Sequence, residues 1–118
     1  MASPLLSIML CLFLSLTIPV KSDEKFVKQW CTADEKFPDE DLQKNLDWAC
    51  SSGAANCKAI QENQPCYFPN TVKDHASYAF NSYWQNSKKQ GATCDFHGAA
   101  VLTEKDPSHA SCIFEYVP

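Results

Sequence analysis

Cys66–Gln85 reads C-Y-F-P-N-T-V-K-D-H-A-S-Y-A-F-N-S-Y-W-Q, and the fold turns on how this stretch is parsed. A cysteine opens it, Pro69-Asn70 turns the chain, and the pattern from about Val72 to Lys89 predicts one amphipathic helix. At roughly 100° per residue, Val72, Ala76, Ala79 and Tyr83 share one stripe, with Phe80 and His75 at its edges. Asp74, Tyr78, Asn81 and Gln85 fall on the opposite side, flanked by Trp84. The apolar stripe is what any core-facing helix carries. Rings and amides together on the other face suit a sugar, because rings stack on the apolar faces of pyranoses while amides pair with hydroxyls. Tyr78, Asn81, Trp84 and Gln85 are therefore the first candidate binding residues.

Outward from this helix, the chain has room for one domain in its 118 residues. Leu5–Ile18 is an apolar run broken only by small hydroxyl residues, too short to span a bilayer and in the range of a signal peptide. Val20-Lys21-Ser22 places cleavage after Ser22, leaving a domain over 23–118. Cys11 leaves with that segment, and the seven cysteines become six, an even number that marks a disulfide framework in a short secreted chain. Zinc is the competing reading, but Cys50…Cys57 is wider than the usual ligand pair and no histidines accompany it. No metal and no cofactor are expected.

Loss of Lys21 leaves nine Lys against fourteen Asp plus Glu, a net charge of −5, with no Arg anywhere in the chain. Arg is the residue best suited to phosphate forks and base edges. An acidic chain without it is a poor partner for nucleic acid or an anionic membrane. The chain stops at Glu115-Tyr116-Val117-Pro118 with no hydrophobic tail, so free secretion without a lipid anchor or a transmembrane segment is expected, to the apoplast or cell wall, as a monomer.

Residues 23–29 are charged and lead to Trp30-Cys31, where the fold begins. Pro38-Asp39-Glu40-Asp41 reads as a helix start with Asp39 as cap; Leu42, Leu46, Ala49 and Cys50 then share a face to about Ser51, and Trp48 points away from it. Lys58–Gln61 suits a single helical turn, and Gln90-Gly91 ends the long helix. Thr93–Phe96 and Ser111–Phe114 read as two short strands, with turns at His97-Gly98 and Asp106-Pro107-Ser108. The fold class is a small, disulfide-rich α+β domain: two main helices packed at an angle, a short antiparallel sheet and long coils.

Six cysteines in step with many intervening residues carry a resemblance over nearly the whole mature chain. They include Trp30-Cys31, Leu42-Gln43…Leu46-Asp47…Ala49-Cys50, Cys57…Ile60-Gln61, Cys66-Tyr67…Pro69-Asn70-Thr71, His75–Asn81, Cys94-Asp95-Phe96 and Asp106-Pro107-Ser108…Cys112. The chain resembles the cysteine-rich module of plant callose-binding proteins, carbohydrate-binding module family 43. That module also occurs as a tail on plant endo-1,3-β-glucanases. Sequence alone leaves fifteen pairings of six cysteines open; the resemblance implies Cys31–Cys94, Cys50–Cys57 and Cys66–Cys112. In chain-entropy terms the two long closures contribute about 4 kcal/mol each and the short one about 2, as upper bounds. Two departures stand out: Trp84 replaces a tyrosine common in relatives, and Asn63-Gln64-Pro65 replaces a glycine-rich turn.

The resemblance implies a non-catalytic module, since the related enzymes keep their catalytic residues in a separate, larger barrel. The residues agree. The Asp34-Glu35 and Asp39-Glu40-Asp41 carboxylates suit a solvated helix start better than an acid/nucleophile pair across a scissile bond. His75, His97 and His109 fit no metal or nucleophile motif, and His75 suits a structural role at the core's edge. Trp30 and Tyr67 lie beside cysteines, where a ring either covers a disulfide or faces a sugar, and Tyr83 suits the core. The expected function is non-catalytic recognition of β-1,3-glucan (callose) in the plant cell wall. A secreted defence or inhibitor protein acting on a protein or microbial surface is the alternative, and an enzyme tail that has lost binding is a third.

Overall fold

The computed structural model describes residues 27–118; the expected signal segment, residues 1–22, and Cys11 lie outside the described residues. A strand β1 (Trp30–Ala33) leads to helix α1 (Asp39–Cys50), a 3-10 turn (Cys57–Ile60) and helix α2 (Val72–Ser87). After short 3-10 turns at Lys88–Gln90 and Phe96–Gly98 comes strand β2 (Ala100–Thr103). The strands pair antiparallel, Trp30 opposite Thr103 and Ala33 opposite Ala100. Helix α2 is the central element, packed on β1 along one side and on α1 along another. This is the expected small, disulfide-rich α+β domain.

Local chemistry sets the helix ends. Thr71 caps α2: its hydroxyl oxygen accepts from the Asp74 amide at 3.1 Å, and its hydroxyl proton goes to the Asp74 carboxylate. Helix α1 starts differently from expectation. Pro38 occupies the capping position, no side chain caps the free amides, and Asp39 is the first helical residue. Asp39, Glu40 and Asp41 instead act through charge at the positive end of the helix dipole. Leu42, Leu46 and Ala49 are buried one helical turn apart, as their spacing requires.

The strands lie elsewhere than the sequence suggests. Thr93–Phe96 runs as coil into a 3-10 turn, and Ser111–Phe114 contributes a single bridge, His109 to Cys112. Phe96 and His97 both sit in left-handed backbone, at φ 50° and 58°, which no extended strand accepts. Ala100–Thr103 pairs instead, although Val101 and Leu102 are both exposed and give no alternation to read.

The disulfides join Cys31–Cys94, Cys50–Cys57 and Cys66–Cys112, with Cα separations of 5.7, 5.6 and 4.7 Å, the pairing the resemblance implied. Paired in this way, these six sulfurs are not thiolates available to a metal. Among the described residues no helix is long and apolar enough to cross a membrane.

The expected outward face of α2 is not a surface. Tyr78 (5% exposed), Asn81 (0%) and Gln85 (1%) are buried, and so is Trp30 (5%). The reason lies in the layer order. An amphipathic reading assumes one buried side, whereas α2 has β1 and the C-terminal coil on the side away from α1. There the polar side chains act as a substitute strand. Asn81 Oδ1 accepts from the Cys31 amide at 3.1 Å, and Ser77 Oγ accepts from the Ala33 amide at 2.9 Å. Asn81 Nδ2 donates to the Glu115 carbonyl, and Gln85 Nε2 donates to the Gln29 carbonyl, both at 2.9 Å. Gln85 Oε1 accepts from the Val117 amide at 2.9 Å. Buried amides are tolerated because each bond is made, and these side chains satisfy the β1 edge and the chain's last residues.

Candidate functional site

Trp48 leaves α1 on the side away from Leu42 and Leu46, and 44% of it is exposed. Its ring meets Tyr83 of α2 edge-on at 5.2 Å and Phe96 at 5.9 Å. Phe96 in turn stacks on fully buried Phe80, 4.1 Å between centroids and 13° between planes. Phe80 thus anchors the cluster to the core, and the left-handed residues Phe96 and His97 fold the chain sharply enough to present Phe96 to Trp48. Non-glycine residues in that region cost about 1–3 kcal/mol each and persist where the surroundings impose them. Here the Cys31–Cys94 bridge and the Phe80 stack do so.

Between these rings runs an open groove of about 680 Å³, lined by the four rings of Phe37, Trp48, Tyr83 and Phe96 and by Asp41, Lys44, Asn45 and Asp95. Thr93 and His97 complete its wall. Asp41, Lys44, Asn45 and Trp48 recur at intervals of three and four, so α1 presents them as one strip about 10 Å long at 1.5 Å rise per residue. Gly53 supports this wall: a Cβ there would stand 2.9 Å from both the Ala49 carbonyl oxygen and Trp48 Cζ3, so glycine lets the chain close beneath the indole.

Of the six residues expected to bind, none lines this groove. Tyr78, Asn81, Gln85 and Trp30 are buried as described. Burial, with Glu115 in addition, raises the pKa of the Tyr78 phenol. Trp30 packs against Tyr116 at 5.8 Å. Tyr67 lies in the coil before α2, half-buried between Phe68 and His75, with its hydroxyl accepting from Asn70. His75 hydrogen-bonds the Tyr67 carbonyl oxygen at 2.7 Å, the structural role its position suggests. Trp84 is half-buried under Lys88, whose ammonium sits 4.7 Å from its ring centroid.

The groove residues missed in the sequence are Phe37, Asp41, Lys44, Asn45, Trp48, Asp95, Phe96 and, as a surface residue, Tyr83. The legible signal is the 41–44–45–48 spacing, a second, polar-aromatic stripe beside the apolar one of α1.

A family model described as the X8 domain matches residues 29–101, which contain the whole groove. The chain is 52% identical over 85 residues to glucan endo-1,3-beta-glucosidase 4 of Arabidopsis thaliana, covering 72% of this chain and 17% of that protein. It is 46% identical over 91 residues to glucan endo-1,3-beta-glucosidase 12 of the same plant, again 17% of the relative's length. The chain therefore spans about a sixth of these two relatives. Over 87 residues it is 44% identical to the major pollen allergen Ole e 10 of Olea europaea, covering 74% of this chain and 71% of the allergen.

Proposed function

The chain belongs to the X8 domain family, and from that premise we propose that it is a non-catalytic carbohydrate-binding protein whose Trp48–Tyr83 groove takes β-1,3-glucan. Four rings interleaved with amide, ammonium and carboxylate groups along one open groove carry this reading. Trp48 stacks on a pyranose face; Asn45, Lys44, Asp41 and Asp95 hydrogen-bond hydroxyls along the chain. A strip of about 10 Å meets roughly two glucose units. The glucan specificity is drawn from the relatives named glucan endo-1,3-beta-glucosidase, of which this chain matches a small part.

Binding without hydrolysis follows from the setting of the carboxylates. Asp41 and Asp95 both face the groove but are open to solvent, whereas a glycosidase acid sits in an enclosed apolar site. Three disulfides suit an oxidising compartment. In our reading residues 1–22 are removed, and the domain over 23–118 acts as a monomer in the apoplast or cell wall. Calorimetric titration with laminarihexaose and cellohexaose, for the wild type and Trp48→Ala, tests the reading. Preferential binding of the β-1,3 oligomer that depends on Trp48 is expected. Equal affinity for both oligomers, or release of reducing sugar, refutes it.

A further inference from the structure

The end of α2 and the last residues of the chain enclose a second cleft, of about 340 Å³, separate from the groove. Gln29, Trp84, Lys88, Lys89, Tyr116 and Pro118 line it, and no Asp or Glu side chain among the described residues does. This is a local reversal of charge in a chain with 14 Asp plus Glu against ten Lys. Lys88 Nζ lies between two rings, 4.7 Å from the Trp84 centroid and 5.1 Å from that of Tyr116, and donates to Gln85 Oε1 at 2.8 Å. Lys28 Nζ also approaches Tyr116, at 5.1 Å. The nearby Glu115 carboxylate is held by Ser82 at 2.9 Å and Asn86 at 2.6 Å. The ion pair found among the described residues is Lys73–Glu35, so neither Lys88 nor Lys89 has a carboxylate partner there.

We propose that this cleft is a subsite for an acidic polysaccharide, with a uronate carboxylate seated at Lys88 and Lys89 and its pyranose ring against Trp84 and Tyr116. The ammonium groups supply the charge, the rings an apolar wall, and Gln29 a partner for hydroxyls. Burial and the neighbouring Lys89 both lower the Lys88 pKa, and an incoming anion beside the two ammonium groups favours their charged form. The negative charges elsewhere do not forbid this, since exposed charges farther than about 8 Å are largely screened at physiological ionic strength. The subsite does not depend on the groove: it recognises a charged sugar where the groove recognises a neutral one.

Titration of the protein with tetragalacturonate, laminaritetraose and inorganic sulfate tests the assignment. Tetragalacturonate binding that weakens from low to high salt is expected. Lys89 is exposed, so Lys89→Glu keeps the melting temperature while weakening tetragalacturonate binding about fivefold or more, in line with loss of an ion pair and gain of a repulsion. Laminaritetraose binding stays unchanged in that variant, and Trp48→Ala leaves tetragalacturonate binding intact. The proposal is overturned if tetragalacturonate does not bind or if Lys89→Glu binds it normally. It is also overturned if sulfate displaces it at equal concentration, or if Trp48→Ala abolishes it.

Discussion

Replacing Trp48 with alanine removes the largest exposed ring of the groove and separates the proposed stacking platform from the fold. An indole offers roughly 250 Å² of surface, so 44% exposure leaves roughly 110 Å² open to a ligand. A pyranose covering about half of that area gains about 1.4 kcal/mol at about 25 cal/mol per Å². Its loss weakens binding about tenfold. The fold is destabilised as well, because the buried part of Trp48 makes edge contacts with Tyr83 and Phe96 worth about 0.5–1.5 kcal/mol each, so binding is compared well below the variant's melting temperature. Trp48→Phe keeps a ring in place and recovers most of the affinity. Calorimetry with laminarihexaose reads the binding change, and thermal melting in the same buffer confirms the fold. A well-folded Trp48→Ala protein that binds within twofold of wild type refutes the groove as the site.

Three further outcomes are expected. Asn81→Leu leaves the Cys31 amide and the Glu115 carbonyl without partners, which at about 1–3 kcal/mol per group costs about 2–6 kcal/mol; urea unfolding measures it, and a loss under 1 kcal/mol contradicts the strand-substitute role. Tyr78 is stabilised as the neutral phenol, with its folded pKa raised above 10.0 by burial and then by Glu115. Its contribution is therefore whole below about pH 10 and lost as pH climbs through the folded value, so wild-type melting temperature should fall more steeply than that of Tyr78→Phe in alkali. Gly53→Ala pushes a methyl group to 2.9 Å from the Ala49 carbonyl oxygen and the Trp48 ring; a stability loss of about 1–3 kcal/mol with a shifted Trp48 emission is expected, and wild-type behaviour in both would show that the chain yields there freely.

The elements that depend on local chemistry are legible from sequence. The Pro69-Asn70 turn and the apolar period mark the start of α2 near Val72, Leu42, Leu46 and Ala49 mark the buried face of α1, and the fold class follows from two helices and six cysteines. What fails is any inference that needs to know how many layers cover an element. Asn81 and Gln85 look like surface amides because a helical period tells which residues share a face but not what lies against it. Their partners are main-chain groups of residues 29, 31, 115 and 117, remote in sequence and without a side-chain signature. The groove was half legible for the same reason. That Trp48 stands off the apolar stripe is a local fact, whereas its meeting with Phe96 depends on the Cys31–Cys94 bridge and two left-handed residues in succession.

This division constrains where the protein is free to change. A two-stranded sheet leaves β1 with an unpaired edge, and an isolated pair of strands is marginal in water. The α2 amides supply the missing partners, so substitutions at Asn81 and Gln85 act on the sheet and the C-terminal coil before they reach any surface. Asp41, Lys44 and Asn45 carry no such duty: apart from the Asn45 side-chain bond to the Asp41 carbonyl within the same helix, no hydrogen bond among the described residues ties their side chains to the rest of the fold. Lys44 is exposed, and exposed positions away from special features usually change stability by less than about 0.5 kcal/mol; exposed Asp41 adds its charge at the helix start, about 0.3–1 kcal/mol. The strip beside Trp48 is thus where ligand preference can be retuned at little structural cost, while the rings anchored on Phe80 hold the groove in shape.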